Sequence, residues 1–196
     1  MKILTNKHLI MTRIQQIEHS KATGRLKEIY DDLVQKRGQL AEVHKIQSLR
    51  PESIVKHMDL YLEIMFSRSD LSRAEREMMA VVTSVSNNCF YCQIHHSQAL
   101  NHYWKNDEKI NQLRKNYKEA SLSEKDLLLC EFAETLTINP GSFKKDTLIE
   151  ELKESGISDA AILDATLVIS YFNFVNRMVL SLGATLENDG GTGYNY

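Results

Sequence analysis

The stretch SRAEREMMAVVTSVSNNCFYCQIHHSQAL, residues 72–100, decides the fold that this sequence predicts. It opens with Ser72 and Glu75, the spacing of a capping box, in which each side chain binds the backbone N–H of the other residue. Apolar residues at helical spacing follow until Asn87 and Asn88, a polar pair that favours a break. Because helical spacing resumes beyond this break, the stretch predicts two helices joined by a tight turn.

The flanking sequence predicts further helices and almost no strand. Two prolines and eight glycines leave few helix breakers in 196 residues. Apolar spacing and capping signals predict helices over residues 26–38, 51–66, 123–139, 145–153 and 158–182, while residues 105–121 form a polar stretch with no helix assigned to it. The predicted fold class is therefore all-α, a helical bundle.

A faint internal repeat runs through this pattern. A shift of 86 positions lays Ser72 over Ser158, and each serine stands at the start of an apolar helix. The four positions with candidate chemistry in the first copy fall on apolar residues in the second: Leu163, Val175, Met178 and Leu182. The shift suggests a duplicated helical hairpin that keeps chemistry in one copy and packing in the other.

Composition excludes several classes of protein. The net charge is −2, with acidic and basic residues mixed throughout, so no basic stripe is available to nucleic acid or to an anionic membrane. Three cysteines do not make the framework of a small secreted disulfide protein, which favours a reducing cytoplasm. No uninterrupted apolar run approaches the roughly 20 residues of a membrane span.

The ends of the chain differ in composition from the body. Residues 1–11 lack the apolar core of a signal peptide and are interpreted as a leader or tag-like segment. Residues 188–196 are rich in Gly, Asn and Tyr and are predicted to form a flexible tail. We expect a single helical domain over residues 12–187.

Cys89 and Cys92 form a C-x-x-C motif at the start of the second helix of the hairpin. Unpaired backbone N–H groups and the helix dipole stabilise a thiolate at such a position. His96 follows Cys92 by four residues, so the two share a helix face and can exchange a proton. Glu77 lies twelve residues before Cys89, but an antiparallel hairpin brings it within a turn of His96. These residues predict a redox-active dithiol with a proton relay.

The same spacing resembles a known signature. The pattern resembles the active site of the alkylhydroperoxidase D (AhpD) and carboxymuconolactone decarboxylase-like superfamily. In this chain, eleven residues separate Glu77 from the Cys89-x-x-Cys92 motif, and three residues separate Cys92 from His96. Residues 71–100 and the segment YFNFVNR at 171–177 resemble its branch of peroxidase-related proteins, and the resemblance extends from Thr12 to Gly183.

This resemblance implies an AhpD-like helical bundle that assembles as a homo-oligomer, often a trimer or hexamer. It implies reduction of organic hydroperoxides by Cys92, which becomes a sulfenic acid that Cys89 resolves as a disulfide. Glu77 and His96 would move the protons. Neither a metal nor an organic cofactor is implied, and a separate dithiol reductant would restore the thiols.

One departure from the family pattern concerns the residue before the second cysteine. Members can carry a histidine there, whereas this chain has Tyr91. The sequence therefore does not identify the group that would activate Cys89. His95 is either a substitute donor or a surface residue, because it points about 100° away from His96 on a helix.

Other interpretations also remain open. The two cysteines with His96 and Glu77 could be zinc ligands, or the disulfide could be the switch of a non-catalytic redox sensor or interaction module. Cys130 lies in an apolar stretch and is predicted to be a packing residue. The histidines at 44 and 57 are interpreted as surface or satisfied residues. The apolar residues Met78, Val82 and Phe90 are the candidates for lining a substrate pocket.

Overall fold

The computed structural model describes residues 12–144 and 147–191. Within these ranges the protein contains nine α-helices and no strand, which confirms the predicted all-α class. The helices are α1 (Gly24–Arg37), α2 (Glu42–Lys45), α3 (Pro51–Phe66), α4 (Arg73–Ser86), α5 (Phe90–Trp104), α6 (Asp107–Lys115), α7 (Glu124–Ile138), α8 (Leu148–Glu154) and α9 (Asp159–Leu182).

The α4–α5 hairpin forms as predicted. The Ser72 hydroxyl accepts from the Glu75 N–H at 3.2 Å, and the Glu75 carboxylate accepts from the Ser72 N–H at 2.6 Å, so the capping box is confirmed. Asn88 interrupts the helical path between α4 and α5. Its φ is 54°, in the left-handed region that asparagine tolerates. α5 then runs back along α4, and the Gln93 amide donates to the Ser84 carbonyl at 3.2 Å.

α4 and α9 form the centre of the bundle. α4 packs against α5, α7 and α9, and α9 also contacts α3, α7 and α8. Side chains from both central helices are fully buried in the main apolar core, among them Met78, Met79, Ile169 and Phe172. A smaller cluster, built around Tyr30 and Ile54, joins α1 to α3. Glu77 therefore stands on a central helix, and the cysteines and His96 stand on α5, which packs against it.

α9 differs from the expectation that no segment of the chain could span a membrane. By length and composition alone, it is the single helix in the described ranges that could cross a membrane, whereas the sequence predicted no such segment. Central helices of soluble proteins pass the same test, and α9 is packed by four other helices of this bundle.

The second copy of the suggested repeat is one helix and not a hairpin. α9 continues without a break through Asn173 and Phe174, the positions that align with Asn87 and Asn88. The Asn173 amide donates to the Ile169 carbonyl at 3.0 Å, so this polar residue is satisfied inside the helix. The aligned residues meet across the core, where the Asn87 amide donates to Asn173 Oδ1 at 3.0 Å.

The polar stretch after α5 contains a helix that the sequence did not predict. Asn106 caps α6 by accepting from the Lys109 N–H at 3.0 Å. α6 buries only Ile110 and Leu113, and two apolar positions give too weak a period to stand out in a polar segment.

The ends of the chain were predicted to be a leader and a flexible tail. Residues 1–11, 145–146 and 192–196 lie outside the described residues. Residues 188–191, predicted as part of the tail, form a turn against α5, and the Gln98 amide donates to the Gly190 carbonyl at 3.1 Å.

The capping box generates a stability prediction. Replacing Ser72 by Ala removes the acceptor of the Glu75 N–H, and we expect a loss of about 1 kcal/mol in the free energy of unfolding. Urea denaturation followed by circular dichroism measures this loss. The matched control is Ser86→Ala in the last turn of the same helix, where no comparable cap is removed. Equal effects of the two substitutions would contradict a capping role.

Candidate active site

A buried contact between a carboxylate and an imidazole joins the two helices of the hairpin. Glu77 on α4 is fully buried, and its Oε2 lies 2.7 Å from Nδ1 of His96 on α5. The other carboxylate oxygen accepts from Arg73 Nε at 2.9 Å and also from Arg73 Nη2. The predicted approach of Glu77 to His96 is therefore confirmed.

This arrangement fixes the charge of Glu77. Burial opposes ionisation, but the charge and hydrogen bond of His96, followed by those of Arg73, lower the pKa of Glu77 below its usual value. Arg73 is itself held in place, since it donates to the Met65 carbonyl at 3.3 Å and stacks over the Phe66 ring at 3.6 Å. Because Nδ1 of His96 is engaged by Glu77, Nε2 is the nitrogen left for chemistry.

The two cysteines of the motif are free thiols in unequal surroundings. Cys89 caps α5, is fully buried, and donates its backbone N–H to the Ser84 carbonyl at 2.8 Å. The Cys92 thiol donates to the Cys89 sulfur, and this bond lowers the pKa of Cys89 despite burial, with help from the Cys92 N–H. The same bond, burial and the adjacent charge raise the pKa of Cys92 well above its usual value. The surroundings thus favour a negative charge on Cys89 over one on Cys92.

A small cavity of about 80 Å³ opens onto Cys92 and His96. Cys89 is not among its lining residues. The lining comes from α1, α2, α3, α5 and α9 and comprises Arg37, Ala41, Val43, His44, His57, Met58, Tyr61, Tyr91, Cys92, His95, His96, Tyr171, Phe172 and Val175. Cys92 is therefore the sulfur that a bound molecule would meet.

The apolar residues suggested as a pocket lining do not line this cavity. Met78 and Val82 face the main core, and Phe90 is 58% exposed. The prediction was wrong because it followed the apolar face of the hairpin, which packs against other helices. The cavity instead borders α5 on the face that carries the second cysteine and the histidines.

Two histidines from distant parts of the chain belong to this cavity and were missed as site residues. His44 and His57 are both buried and lie beside each other, with ring centroids 5.8 Å apart. His57 is satisfied, as one of the predicted alternatives had it, through contacts with Gln47 and Tyr171. Burial lowers the pKa of His57 to about 4, so this ring is neutral at physiological pH. A lone histidine in a helical pattern carries no signal for such a position.

Tyr91 and His95 share a partner beyond α9. The Tyr91 hydroxyl donates to Glu187 Oε1 at 2.9 Å, and His95 Nε2 lies 2.9 Å from Oε2 of the same carboxylate. His95 is largely buried, so the interpretation as a surface residue is wrong. Burial opposes ionisation of Glu187, but hydrogen bonds from His95 and the Glu42 N–H lower its pKa to about 2. The segment after α9 therefore closes one side of the site.

The remaining sequence predictions concern metals and the third cysteine. Within residues 12–144 and 147–191, no three His, Cys, Asp or Glu side chains are grouped so that they could hold a metal ion, so the zinc alternative lacks a ligand set there. Cys130 is fully buried in the main core, and burial raises the pKa of its thiol, as expected of a packing residue.

Comparisons with known proteins agree with this geometry. Residues 53–134 match the model of the carboxymuconolactone decarboxylase family, and this segment contains all four predicted site residues. No curated protein matches the chain.

Solved structures share the fold across most of the chain. The AhpD-core, uncharacterized peroxidase-related protein from Ralstonia eutropha JMP134 is 23% identical with a TM-score of 0.81, over 92% of this chain and 95% of its own. An uncharacterized peroxidase-related protein from Silicibacter sp. TM1040 is 27% identical with a TM-score of 0.77, over 85% and 86%. The debrominase Bmp8 is 19% identical with a TM-score of 0.73, over 93% and 94%. The chain therefore matches the carboxymuconolactone decarboxylase family over residues 53–134, and it shares the all-α fold of the AhpD-core, peroxidase-related structures.

Proposed function

We propose that the protein is a thiol peroxidase that reduces organic hydroperoxides through Cys89 and Cys92, with Glu77 and His96 as its proton relay. The observation that carries the proposal is the 2.7 Å contact between His96 and the buried Glu77, beside a cavity that His96 shares with Cys92. The family match and the peroxidase-related structures support the same class of activity.

The first step transfers an oxygen atom to Cys92. His96 takes the Cys92 proton through Nε2, and the carboxylate of Glu77 stabilises the imidazolium. The Cys92 thiolate attacks the terminal oxygen of the hydroperoxide, so that an S–O bond forms and the O–O bond breaks. The leaving alkoxide takes the proton from His96 and departs as the alcohol.

The second step uses the thiolate held on Cys89. It attacks the sulfenic sulfur of Cys92, so that an S–S bond forms and hydroxide leaves, to become water with a proton from solvent. Cys89 suits this role because it is hidden from the cavity and already hydrogen-bonded to its partner sulfur. The sum of the two steps converts one hydroperoxide and one dithiol to alcohol, water and disulfide.

Turnover also needs a partner that returns two electrons to the disulfide. We propose a separate dithiol reductant in a reducing cytoplasm, and no bound cofactor. A homo-oligomer, trimeric or hexameric as in the family, is supported by large apolar side chains exposed along α3 and α9: Leu60, Leu62, Leu163 and Leu167.

Two other functions are compared with this proposal, and the dithiol disfavours the first of them. The matched family also includes decarboxylases, whose reaction does not call for the dithiol that this chain has. A non-catalytic redox sensor would use the same disulfide, but it would be oxidised once per molecule and would not turn over.

The assignment of the nucleophile predicts different outcomes for two cysteines. Cys92→Ser should abolish the reduction of cumene hydroperoxide in the presence of excess dithiothreitol, because it removes the sulfur at the cavity. Cys130→Ser should keep most of the activity, since its thiol lies in the apolar core. Peroxide consumption, measured over many turnovers, separates an enzyme from a single-use sensor. Equal losses in the two variants would refute the assignment.

The relay predicts the effect of neutralising Glu77. Glu77→Gln should slow the formation of the Cys89–Cys92 disulfide by roughly 10²-fold, because His96 loses the charge that stabilises its protonated form. Single-turnover oxidation of reduced protein by cumene hydroperoxide, with mass spectrometry of the disulfide, measures the rate. Glu134→Gln is the control, since that carboxylate binds Tyr117 away from the cavity, and circular dichroism checks the fold. An unchanged rate in Glu77→Gln would eliminate the relay.

The hydrogen bond between the sulfurs predicts a shift in thiol ionisation. Its loss in Cys92→Ala should raise the pKa of Cys89, so the thiolate absorbance at 240 nm should appear at higher pH than in the unsubstituted protein. Cys130→Ala should leave the titration unchanged, because burial already raises the pKa of that thiol. A Cys92→Ala curve that coincides with the original would show that Cys92 does not stabilise the thiolate.

A further inference from the structure

We propose that Tyr171 is a substrate-binding hydrogen-bond donor in this cavity and that His57 is the positioning residue that directs its hydroxyl. The inference deepens the proposed peroxidase function and rests on it. Tyr171 would bind the leaving oxygen of an alkyl hydroperoxide while Cys92 attacks the terminal oxygen.

Tyr171 lies where such a donor is needed. It comes from α9, lines the same cavity as Cys92 and His96, and is only 5% exposed. The next residue, Phe172, packs edge-on against the His96 ring with centroids 4.3 Å apart. Burial, followed by the neighbouring Tyr61 and Cys92, raises the pKa of Tyr171 well above its usual value, so the phenol keeps its proton.

A chain of hydrogen bonds fixes which way the protons point. The Gln47 amide nitrogen donates to the Val43 carbonyl at 2.8 Å, and this contact sets the orientation of the amide. The same nitrogen lies 2.7 Å from Nδ1 of His57, so Nδ1 is the acceptor and Nε2 carries the proton of the neutral ring. Nε2 in turn lies 2.6 Å from the Tyr171 oxygen and donates to it.

The consequence concerns the hydroxyl proton of Tyr171. Because the phenol oxygen accepts from His57, its own proton is not used in that bond. Among the described residues, His57 is the only hydrogen-bond partner of this hydroxyl. The proton is therefore available to a molecule in the cavity, and the neutral His57 keeps this direction over the physiological pH range.

This donor favours one class of oxidant. When the O–O bond of an alkyl hydroperoxide breaks, negative charge develops on the alkoxide oxygen, and a fixed donor in a buried site stabilises that charge. Tyr171 supplies only the hydrogen bond, and His96 supplies the proton. A peracid releases a carboxylate, a weaker base that needs this donor much less. Apolar neighbours such as Met58, Phe172 and Val175 suit the carbon part of an alkyl hydroperoxide.

The test compares two oxidants. Tyr171→Phe keeps the ring and removes the hydroxyl, and we expect the rate of disulfide formation to fall by roughly 10²-fold with cumene hydroperoxide. With peracetic acid the fall should be less than about threefold, because the leaving group needs no donor. Alkylation by iodoacetamide should be unchanged, which would exclude a general loss of thiol reactivity. Tyr117→Phe, which removes a phenol hydroxyl bonded to Glu134, is the matched control.

His57 is tested by rescue. His57→Gln retains an amide N–H near the Nε2 position and should keep more of the cumene hydroperoxide rate than His57→Leu, which has no donor. Similar rates in these two variants would overturn the positioning role. Equal losses with both oxidants in Tyr171→Phe, or no loss, would overturn the donor role. If the unsubstituted protein forms no disulfide with either oxidant, the peroxidase function itself fails.

Discussion

The buried carboxylate of Glu77 is the interaction on which the site depends. A charge taken out of water costs several kcal/mol unless hydrogen-bonded partners replace the solvent, and here Arg73 and His96 do so. Arg73 lies one turn away on the same helix, whereas His96 comes from α5, so the requirement fixes how the two helices align. Cys92 lies one turn before His96 on α5, so the same alignment also fixes the position of this cysteine relative to Glu77. A hairpin that slipped along its axis would separate His96 from Glu77 and leave Arg73 to neutralise the buried carboxylate alone, so the alignment of the hairpin and the proposed relay depend on one contact.

The surroundings of the two sulfurs differ, and the proposed roles of Cys89 and Cys92 follow from this difference. Cys89 is the better place for a negative charge, since it accepts from the thiol and the N–H of Cys92. Cys92 is the sulfur that borders the cavity. A resting thiolate on the sulfur that borders the cavity would be open to any electrophile that entered, whereas a thiolate on Cys89 lies away from the cavity lining. In the proposed mechanism, attack from Cys92 requires its proton to move first, and this step gives His96 and Glu77 a role in the reaction.

The hairpin was predictable from sequence because its signals are local. The signals are capping residues, a polar break and spacings of a few residues on one helix, and such spacings give distances directly. The contact between Glu77 and His96 agrees with them. The rest of the cavity was not predictable in this way. His57 and Tyr171 are 114 residues apart, and their contact arises only when α3 packs against α9. Helical periodicity alone does not separate a histidine that faces a cavity from one that faces water. α6 was not predicted because it buries only two apolar side chains, which give a weak helical period.

His96 and His57 line the same cavity but differ in the group that contacts Nδ1 of the ring, and this group determines whether the ring can transfer a proton. His96 contacts a carboxylate through Nδ1, and a carboxylate stabilises the protonated ring, so His96 suits proton transfer. His57 accepts from an amide through Nδ1, and burial lowers its pKa to about 4, so the ring stays neutral. A neutral ring with a fixed tautomer can orient a neighbouring hydroxyl but does not supply a proton at physiological pH. In the proposed site, His96 would move protons, and Tyr171 would offer a hydrogen bond whose direction His57 sets.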